Sequence, residues 1–356
     1  MQSQSATSTA KPVDIGKLYL QSNDSVIKPE NLKFFRETRK DLPADELRAR
    51  FQQDGYVLVK GLLPRETVLS VRKQYFELFS GTGLCKAGYE ADGIFGGGKL
   101  DDFPTLDMVG RDPNYSRKKN SKLRSAYSKL LVDTSHDLPD YQAMCRHPDL
   151  VRFIERLTGW REPLLLKRTQ MRPDVPGAEA TGVHFDKLHF RGGDPSFITG
   201  WIPIGDIQLP GGGLIYLEDS LSLARDIEDR WQRAAVAMGL SDEERINGNN
   251  ASMMDVPFCA KDMAEFGEKH SRKWLVGNFE AGDILLHDAF MVHASATNKD
   301  PTGRIRLSTD IRYCNPDKQI DERWMKMLRL PESWFDGVES EVKPGGQEGN
   351  DMETGE

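Results

Sequence analysis

Short apolar segments separated by turn-forming residues follow one another from Leu164 onward, and this pattern restricts the fold most. Gly, Pro, Asn and Asp stand between the segments, and each segment has the length of a single strand. A series of short strands with such turn signals favours a β-sandwich or a β-barrel. The candidate strands are residues 164–171, 183–186, 197–204, 213–217, 283–287, 291–295 and 304–313.

The part of the chain before these strands has the residue spacing of helices. Residues 45–53 predict a helix, and residues 56–59 predict a strand directly after it. Pro64 and Pro148 each begin a further segment whose apolar residues recur at helical intervals. The fold class predicted from these patterns is mainly β with flanking helices.

The length of the chain, 356 residues, is compatible with one large domain. We predict a single domain over residues 26–335, preceded by a polar, disordered segment (1–25) and followed by a disordered, Gly-rich acidic tail (340–356). A helical, charged insertion over residues 221–273 interrupts the strands. Insertions of this length are usually functional or disordered, and we expect this one to form part of a lid over a site.

Composition excludes several classes of protein. The net charge of −7 offers no basic field to nucleic acid or to an anionic membrane. No apolar run approaches the ~20 residues that a membrane-spanning helix needs. The four cysteines lack C-x-x-C spacing, which excludes zinc-finger and disulfide scaffolds and fits a reducing compartment. We therefore expect an intracellular, cytoplasmic protein that acts on small molecules.

A possible metal site lies in the sequence His184-Phe185-Asp186. Side chains alternate across an extended segment, so His184 and Asp186 point to the same side. His293, about a hundred residues later, would complete a set of two histidines and one carboxylate that leaves other metal positions open. That set is typical of non-haem Fe(II) oxygenases. Taken singly, each histidine is also compatible with a hydrogen-bonded core residue, and we interpret His189 as a loop residue and His287 as a packed strand residue.

The last candidate strand, residues 304–313, has one apolar and one polar face. Arg304, Arg306 and Arg312 fall on the polar face. This alternation is compatible with an antiparallel strand that has one wet face, or with a barrel wall that binds an anion. A guanidinium group can bind a carboxylate through two hydrogen bonds, so an arginine here could anchor an anionic co-substrate. Strand geometry alone does not distinguish Arg304 from Arg306.

A glycine-rich segment, Gly93 to Gly98, has some features of a phosphate-binding loop. It lacks a preceding strand and the Lys-Ser/Thr ending of that motif. A flexible lip near an active site is the interpretation we prefer.

The chain resembles the phytanoyl-CoA dioxygenase family of Fe(II)/2-oxoglutarate oxygenases over roughly residues 47–313. The resemblance is carried by the order and spacing of several short motifs. These motifs are Phe51 to Gly61, Arg146 to Leu150, Gly177, His184-Phe185-Asp186, Trp201, Gly212-Gly213-Leu214, Glu280 to Asp283, His293-Ala294-Ser295 and Arg304, which stands eleven residues after His293.

The resemblance implies a double-stranded β-helix, a jelly-roll barrel of the cupin type, with helices packed outside. It implies that His184, Asp186 and His293 bind Fe(II) and that the enzyme uses O2. It favours Arg304 over Arg306 as the residue that binds the distal carboxylate of 2-oxoglutarate. It further implies that Ser295, Trp201 and Gln170 help to hold this co-substrate.

The expected activity is oxidation, by default hydroxylation, of a C–H bond in a small or medium organic molecule, with release of succinate and CO2. Two alternatives remain open from the sequence. One is a non-catalytic β-barrel that binds a metal or ligand, and the other is a zinc hydrolase with the same three ligands.

Overall fold

The computed structural model describes residues 14–105, 122–248, 259–327 and 329. The strands are β1 (Leu20–Ser22), β2 (Ser25–Ile27), β3 (Leu32–Phe34), β4 (Glu37–Thr38), β5 (Tyr56–Val59), β6 (Leu164–Leu165), β7 (Gln170–Asp174), β8 (Phe197–Pro203), β9 (Leu214–Leu217), β10 (Trp274–Val276), β11 (Ile284–Asp288), β12 (His293–Ser295) and β13 (Arg306–Cys314). The α-helices are α1 (Ala44–Asp54), α2 (Arg65–Leu78), α3 (Lys122–Lys129), α4 (Pro139–Met144), α5 (Pro148–Thr158), α6 (Leu221–Ala237), α7 (Asp242–Asn247) and α8 (Met263–Lys269).

Two sheets form the centre of the molecule. The major sheet has the order β4-β5-β11-β8-β13, and β13 continues with β6 and β7 along its other edge. The minor sheet has the order β12-β9-β10-β3. The sheets are not closed into one hydrogen-bonded barrel; they face each other as in a jelly roll, which confirms the predicted mainly β fold.

Alternation along the strands divides the core into three layers. The inward faces of both sheets meet in a cluster that includes Tyr56, Trp201, Tyr216 and Phe279. The outer face of the major sheet packs on helices α1 to α5. The outer face of the minor sheet packs on α8, on part of α6 and on the hairpin of β1 and β2. The helices thus cover the sheets from outside and leave the space between the sheets for the site.

Local sequence signals explain the helix ends. Gly55 follows α1 in the left-handed conformation (φ 74°), and Gly159 follows α5 in the same way (φ 76°). Such a conformation favours glycine, and it stops the helix at that residue. The predicted helix over residues 45–53 and the predicted strand over 56–59 are both confirmed.

Three predicted boundaries are wrong. Within the segment predicted to be disordered, residues 1–25, the described part from Asp14 contains β1, which pairs with β2, and residues 1–13 lie outside the described residues. The candidate strand 164–171 is two strands, separated by a turn at residues 167–169. The candidate strand 183–186 makes only single bridges, because a 3-10 helix begins at Asp186 and bends the chain away. The predicted acidic tail, 340–356, lies outside the described residues.

The insertion over residues 221–273 is helical in its described part, where it contains α6, α7 and α8. Within the described ranges, every helix is too short or too polar to cross a membrane.

Candidate metal centre

Backbone hydrogen bonds bring the two halves of the predicted metal site together. The amide of His184 donates to the carbonyl of His293 (2.9 Å), and the amide of His293 donates back to the carbonyl of His184 (2.8 Å). Phe185 is extended and fully buried, and it packs in the cluster behind the minor sheet. His184 and Asp186 therefore share the opposite side, as the sequence predicted.

The three predicted ligands form a compact, buried group. One ligand atom from each of His184, Asp186 and His293 lies within 4.8 Å of the other two. The ring centroids of the two histidines are 4.1 Å apart. Within the described ranges, no other set of three such residues meets this criterion. The arrangement can hold one metal ion on two imidazoles and one carboxylate.

Each histidine is oriented through its Nδ1 atom. Nδ1 of His184 lies 2.8 Å from the carbonyl oxygen of Gly182, and Nδ1 of His293 lies 2.9 Å from that of Met291. A carbonyl can only accept, so Nδ1 carries the proton and Nε2 carries the lone pair. Burial and the neighbouring imidazoles lower the pKa of His184 well below its usual value and that of His293 to about 4. Both rings are therefore neutral near pH 7, as metal binding requires.

The two oxygens of Asp186 have different surroundings. Oδ1 lies 3.8 Å from Nε2 of His293. Oδ2 accepts hydrogen bonds from Oγ1 of Thr199 and from Nε of Arg312, the latter at 3.0 Å. Burial alone would raise the pKa of this carboxyl, but the charge of Arg312, together with the nearby His287 and His293, holds it well below its usual value. Asp186 is therefore ionised, with Oδ1 turned toward the histidines.

Arg304 and Arg306 differ in their contacts. Arg306 is buried in β13, donates to Oδ2 of Asp174 at 2.8 Å and donates to Oγ of Ser308 at 2.7 Å. Arg304 is half-buried just before β13, where its backbone pairs with Ile94. Its Nε atom is buried, and no side-chain hydrogen bond or ion pair joins it to the rest of the described chain. Arg304 therefore has donors to offer to a ligand, whereas Arg306 is already neutralised.

Comparison with known proteins identifies the family. The model of the family "Phytanoyl-CoA dioxygenase (PhyH)" matches residues 51–306. The chain belongs to the phytanoyl-CoA dioxygenase family. Two curated relatives are the 1-deoxypentalenic acid 11-beta-hydroxylases of Streptomyces arenae (27% identity) and Streptomyces exfoliatus (25%). Each alignment covers 271 residues, which is 74% of this chain and 78% of the relative.

Two solved structures also resemble this dioxygenase. One is the non-heme alpha ketoglutarate dependent carbocyclase SnoK from nogalamycin biosynthesis, with TM-score 0.47, 15% identity, and coverage of 83% of this chain and 98% of that chain. Another is the epimerase SnoN in complex with Fe3+, alpha ketoglutarate and nogalamycin RO, with TM-score 0.45, 19% identity, and coverage of 78% and 85%.

Family membership, together with the His-Asp-His group, establishes the class of activity. The protein is an Fe(II)- and 2-oxoglutarate-dependent dioxygenase, an oxidoreductase that uses O2 and acts on a small organic substrate. The two alternatives left open by the sequence, a non-catalytic barrel and a zinc hydrolase, are disfavoured by this membership.

The other predicted residues of this dioxygenase lie on inward or edge positions of the sheets. Ser295 is two residues after His293 in β12, and its Oγ accepts from the amide of Thr181 (2.8 Å). Trp201 is buried between the sheets, edge-on to Phe279 at 4.8 Å. Gln170 begins β7 and accepts from Nη2 of Arg172 (2.8 Å). Within the described residues its side chain thus contacts Arg172, which also binds Asp310 of β13.

The glycine-rich segment lies beside Arg304. The amide of Phe95 donates to the carbonyl of Gly303, and the amide of Ile305 donates to that of Gly93, both at 2.8 Å. The segment therefore contacts the backbone on both sides of Arg304, which places the predicted lip at this end of the sheet.

Two contacts of Asp186 were not foreseen from the sequence. Thr199 carries no signal of its own, because it is one polar residue in an apolar strand. Arg312 carried a partial signal, since it falls on the same polar face as Arg304 and Arg306. His287, interpreted as a packed strand residue, is buried in β11 and hydrogen-bonds through Nδ1 to the hydroxyl of Tyr216 (2.7 Å).

Proposed function

We propose that His184, Asp186 and His293 hold Fe(II), that Arg304 binds the distal carboxylate of 2-oxoglutarate, and that the enzyme hydroxylates a C–H bond of a small or medium organic molecule. The observation that carries the proposal is the buried His-Asp-His group in which both imidazoles are turned to present Nε2.

The donor set fits Fe(II). Two neutral imidazoles and one carboxylate suit non-haem Fe(II) and leave positions for a co-substrate and O2. When bound, iron with 2-oxoglutarate and O2 supplies the oxidation of the substrate, with succinate and CO2 as the other products. The protein orients the three ligands by the carbonyls of Gly182 and Met291 and by the donors on Asp186, and the two sheets exclude water from them.

Arg304 is the better anchor for the co-substrate. A buried guanidinium nitrogen without a partner carries a desolvation cost, which a carboxylate ligand would remove. Arg72, whose pKa is lowered to about 10 by burial and by the nearby charge of Arg304, adds a second positive charge at this end. Arg306 already has Asp174 as its partner, so a ligand would have to displace an internal carboxylate.

Ser295 and Trp201 are suited to complete the co-substrate site. The Oγ atom of Ser295 accepts from Thr181, and within the described residues no acceptor takes its hydroxyl proton. That proton is therefore available to a carboxylate oxygen. Trp201 offers an apolar wall on the inward face of β8. Gln170 is the weakest of these assignments, because its side-chain oxygen already accepts a hydrogen bond from Arg172 in the described structure.

The insertion is proposed to cover the substrate site. Glu228 in α6 receives two hydrogen bonds from Arg191, both 2.7 Å, and Arg191 follows the His-Asp segment by five residues. The guanidinium of Arg191 also lies over the ring of Trp231 in α6, 3.6 Å from its centroid. Near the other end of the insertion, Ala260 pairs with Val183, the residue before His184. Both parts of the insertion therefore contact the segment that carries two metal ligands.

The relatives give a first substrate to try. They are named as hydroxylases of 1-deoxypentalenic acid. We therefore propose a compact organic molecule of that size, carrying a carboxylate, as the substrate class.

The proposal is tested by iron content and turnover. Anaerobic addition of Fe(II) and 2-oxoglutarate should give a weak visible charge-transfer band, and O2 with a substrate should then release succinate. A panel headed by 1-deoxypentalenic acid would identify the substrate.

His184→Ala should abolish iron binding, a loss larger than the ~10–100-fold expected when only a supporting residue is removed. His270→Ala is the matched control, because His270 lies at the end of α8 and packs on Phe266. Metal analysis of both purified variants checks this, and normal iron occupancy in His184→Ala would exclude His184 as a ligand.

A further inference from the structure

Three side chains from neighbouring strands of the major sheet surround Oδ2 of Asp186. Thr199 in β8 stands directly opposite His287 in β11 and directly opposite Arg312 in β13. Thr199 and Arg312 donate hydrogen bonds to Oδ2, and Nε2 of His287 lies 3.6 Å from it. We call His287, Thr199 and Arg312 the carboxylate row.

We propose that the carboxylate row holds Oδ2 of Asp186 away from the metal, so that Asp186 binds iron through Oδ1 alone. The three members are positioning residues, because they touch the ligand and not the metal or the substrate. This inference rests on the proposed ligand assignment and adds to it residues that the family match does not assign.

The reason for such a row is the flexibility of a carboxylate as a ligand. A carboxylate can bind a metal through one or both oxygens, and the second mode would occupy a position that this enzyme needs for 2-oxoglutarate or O2. Hydrogen bonds from a hydroxyl and a guanidinium use the lone pairs of Oδ2 and so favour the one-oxygen mode. Both bonds are charge-assisted because Asp186 is ionised, and Arg312 adds a formal positive charge.

Each outer member of the row is itself held in place. The Tyr216 hydroxyl, 2.7 Å from Nδ1 of His287, can donate to that atom, which leaves the Nε2 proton directed at Asp186. The guanidinium of Arg312 lies over the rings of Phe190 and Trp324, 4.9 and 5.3 Å from their centroids. These two rings stack on each other at 3.8 Å. Arg312 is thus fixed between a carboxylate and an aromatic pair.

Part of this support comes from beyond the segment that defines the family. The family match ends at residue 306, whereas Arg312 is in the second half of β13 and Trp324 is in the 3-10 helix Glu322–Met325. That helix is attached to the chain that follows Asp186, because Asp321, its N-cap, accepts from the amide of Gly192 (3.0 Å). The last described part of the chain therefore contributes to the geometry of the metal ligand.

Paired variants of Thr199 and Arg312 test the proposal. Thr199→Val keeps the shape and removes the hydroxyl, and Thr199→Ser restores the hydroxyl. Arg312→Met keeps the length and removes the charge and donors. Arg306→Met is the matched control, because Arg306 is also buried on the inward face of β13 but binds Asp174.

The measurements are the anaerobic dissociation constant for Fe(II) and the visible d–d spectrum with Co(II). Thr199→Val and Arg312→Met should weaken metal binding by about 10–100-fold. Their Co(II) spectra should change, because Oδ2 enters the set of donor atoms. Thr199→Ser and Arg306→Met should keep the wild-type spectrum and nearly the wild-type affinity.

Wild-type affinity and spectrum in folded Thr199→Val would overturn the proposal, and so would an equal loss in Arg306→Met. If Arg312→Met does not fold, the Thr199 pair still decides. Asp186→Ala separates the two levels of the argument. If Asp186→Ala loses the metal and the row variants show no effect, only the proposed role of the carboxylate row is wrong. If Asp186→Ala binds metal normally, the assignment of Asp186 as a ligand is itself wrong.

Discussion

The two ends of the polar face that runs through β13 differ in how their arginines are satisfied. Within β13, Arg306 and Arg312 each donate to a buried carboxylate, Asp174 and Asp186 respectively. Just before the strand, Arg304 makes no such contact in the described structure, and its Nε atom is buried. Arginines of the same face thus divide into two that are paired with buried carboxylates and one that makes no ion pair in the described structure. Buried polar groups are normally paired. What sets Arg304 apart is the missing carboxylate, because single buried nitrogens of Arg306 (Nε) and Arg312 (Nη1) also lack a partner.

The largest effect that follows from this comparison is on co-substrate affinity. Removing one partner of a desolvated guanidinium–carboxylate contact costs about 2–5 kcal/mol, or roughly a 30- to 4,000-fold change in affinity. Arg304→Gln should therefore raise the 2-oxoglutarate concentration needed for half-maximal succinate release by this factor and leave iron content unchanged. Arg306→Gln, the control, should change it much less and should instead lower stability.

Two results would contradict this difference between Arg304 and Arg306. If the two variants exchange phenotypes, the register of the anchor is wrong by two residues. If neither changes the 2-oxoglutarate requirement, the co-substrate does not bind at this end of the strand.

A smaller effect concerns the pH dependence of stability at the paired end. Burial raises the pKa of Asp174 to about 6, although Arg306 acts in the opposite direction. Between the ordinary value, near 4, and about 6, the folded state binds more protons at this group than the unfolded state. The contribution of Asp174 to stability is therefore full below about pH 4 and falls as the pH rises to about 6.

Asp174→Asn removes this titration while keeping the shape of the side chain. The free energy of unfolding of the wild type should fall relative to that of this variant as the pH rises from 4 to 6. Urea unfolding of the metal-free protein measures it. A difference that stays constant over this range would show that Asp174 does not titrate there.

The smallest effect extends the comparison to the contact with the insertion, where Arg191 is paired with Glu228 of α6. Its two bonds to Glu228 join α6 to the chain beyond the metal ligands. Hydrogen exchange over residues 221–273 should slow when substrate and 2-oxoglutarate are both bound, if the insertion closes over them. Glu228→Gln should reduce that protection, and Arg230→Gln, on the exposed side of the same helix, should not. Equal exchange with and without ligands would make the insertion a surface feature.

The sequence predicted those parts of the fold that have a local signal. Residues 56–59 and the helices after Pro64 and Pro148 have the expected apolar spacing, and Gly55 marks a helix end. Strands β1 to β4 were missed because two or three residues are too few to show alternation. The His-Asp segment was expected to be a strand, and its turn at Asp186 was hidden because a 3-10 helix of three residues has no periodic signal.

The His-Asp-His group could be predicted from the sequence, whereas the residues that hold Asp186 in place could not. His184 and Asp186 are two residues apart in the chain, so their common side follows from local geometry, and His293 follows from the family spacing. The carboxylate row depends on which residues of β8, β11 and β13 stand opposite each other. That register is set by packing between segments about a hundred residues apart, and no single segment encodes it.

The reciprocal backbone bonds between His184 and His293 have a consequence for how the protein takes up its metal. In many small metalloproteins the metal folds the chain, so loss of metal means loss of structure. Here two backbone hydrogen bonds join the histidines directly, so their spacing is set by main-chain pairing as well as by any bound metal. We therefore expect the two histidines to keep their spacing when iron is removed, and readdition of Fe(II) should restore metal binding without refolding.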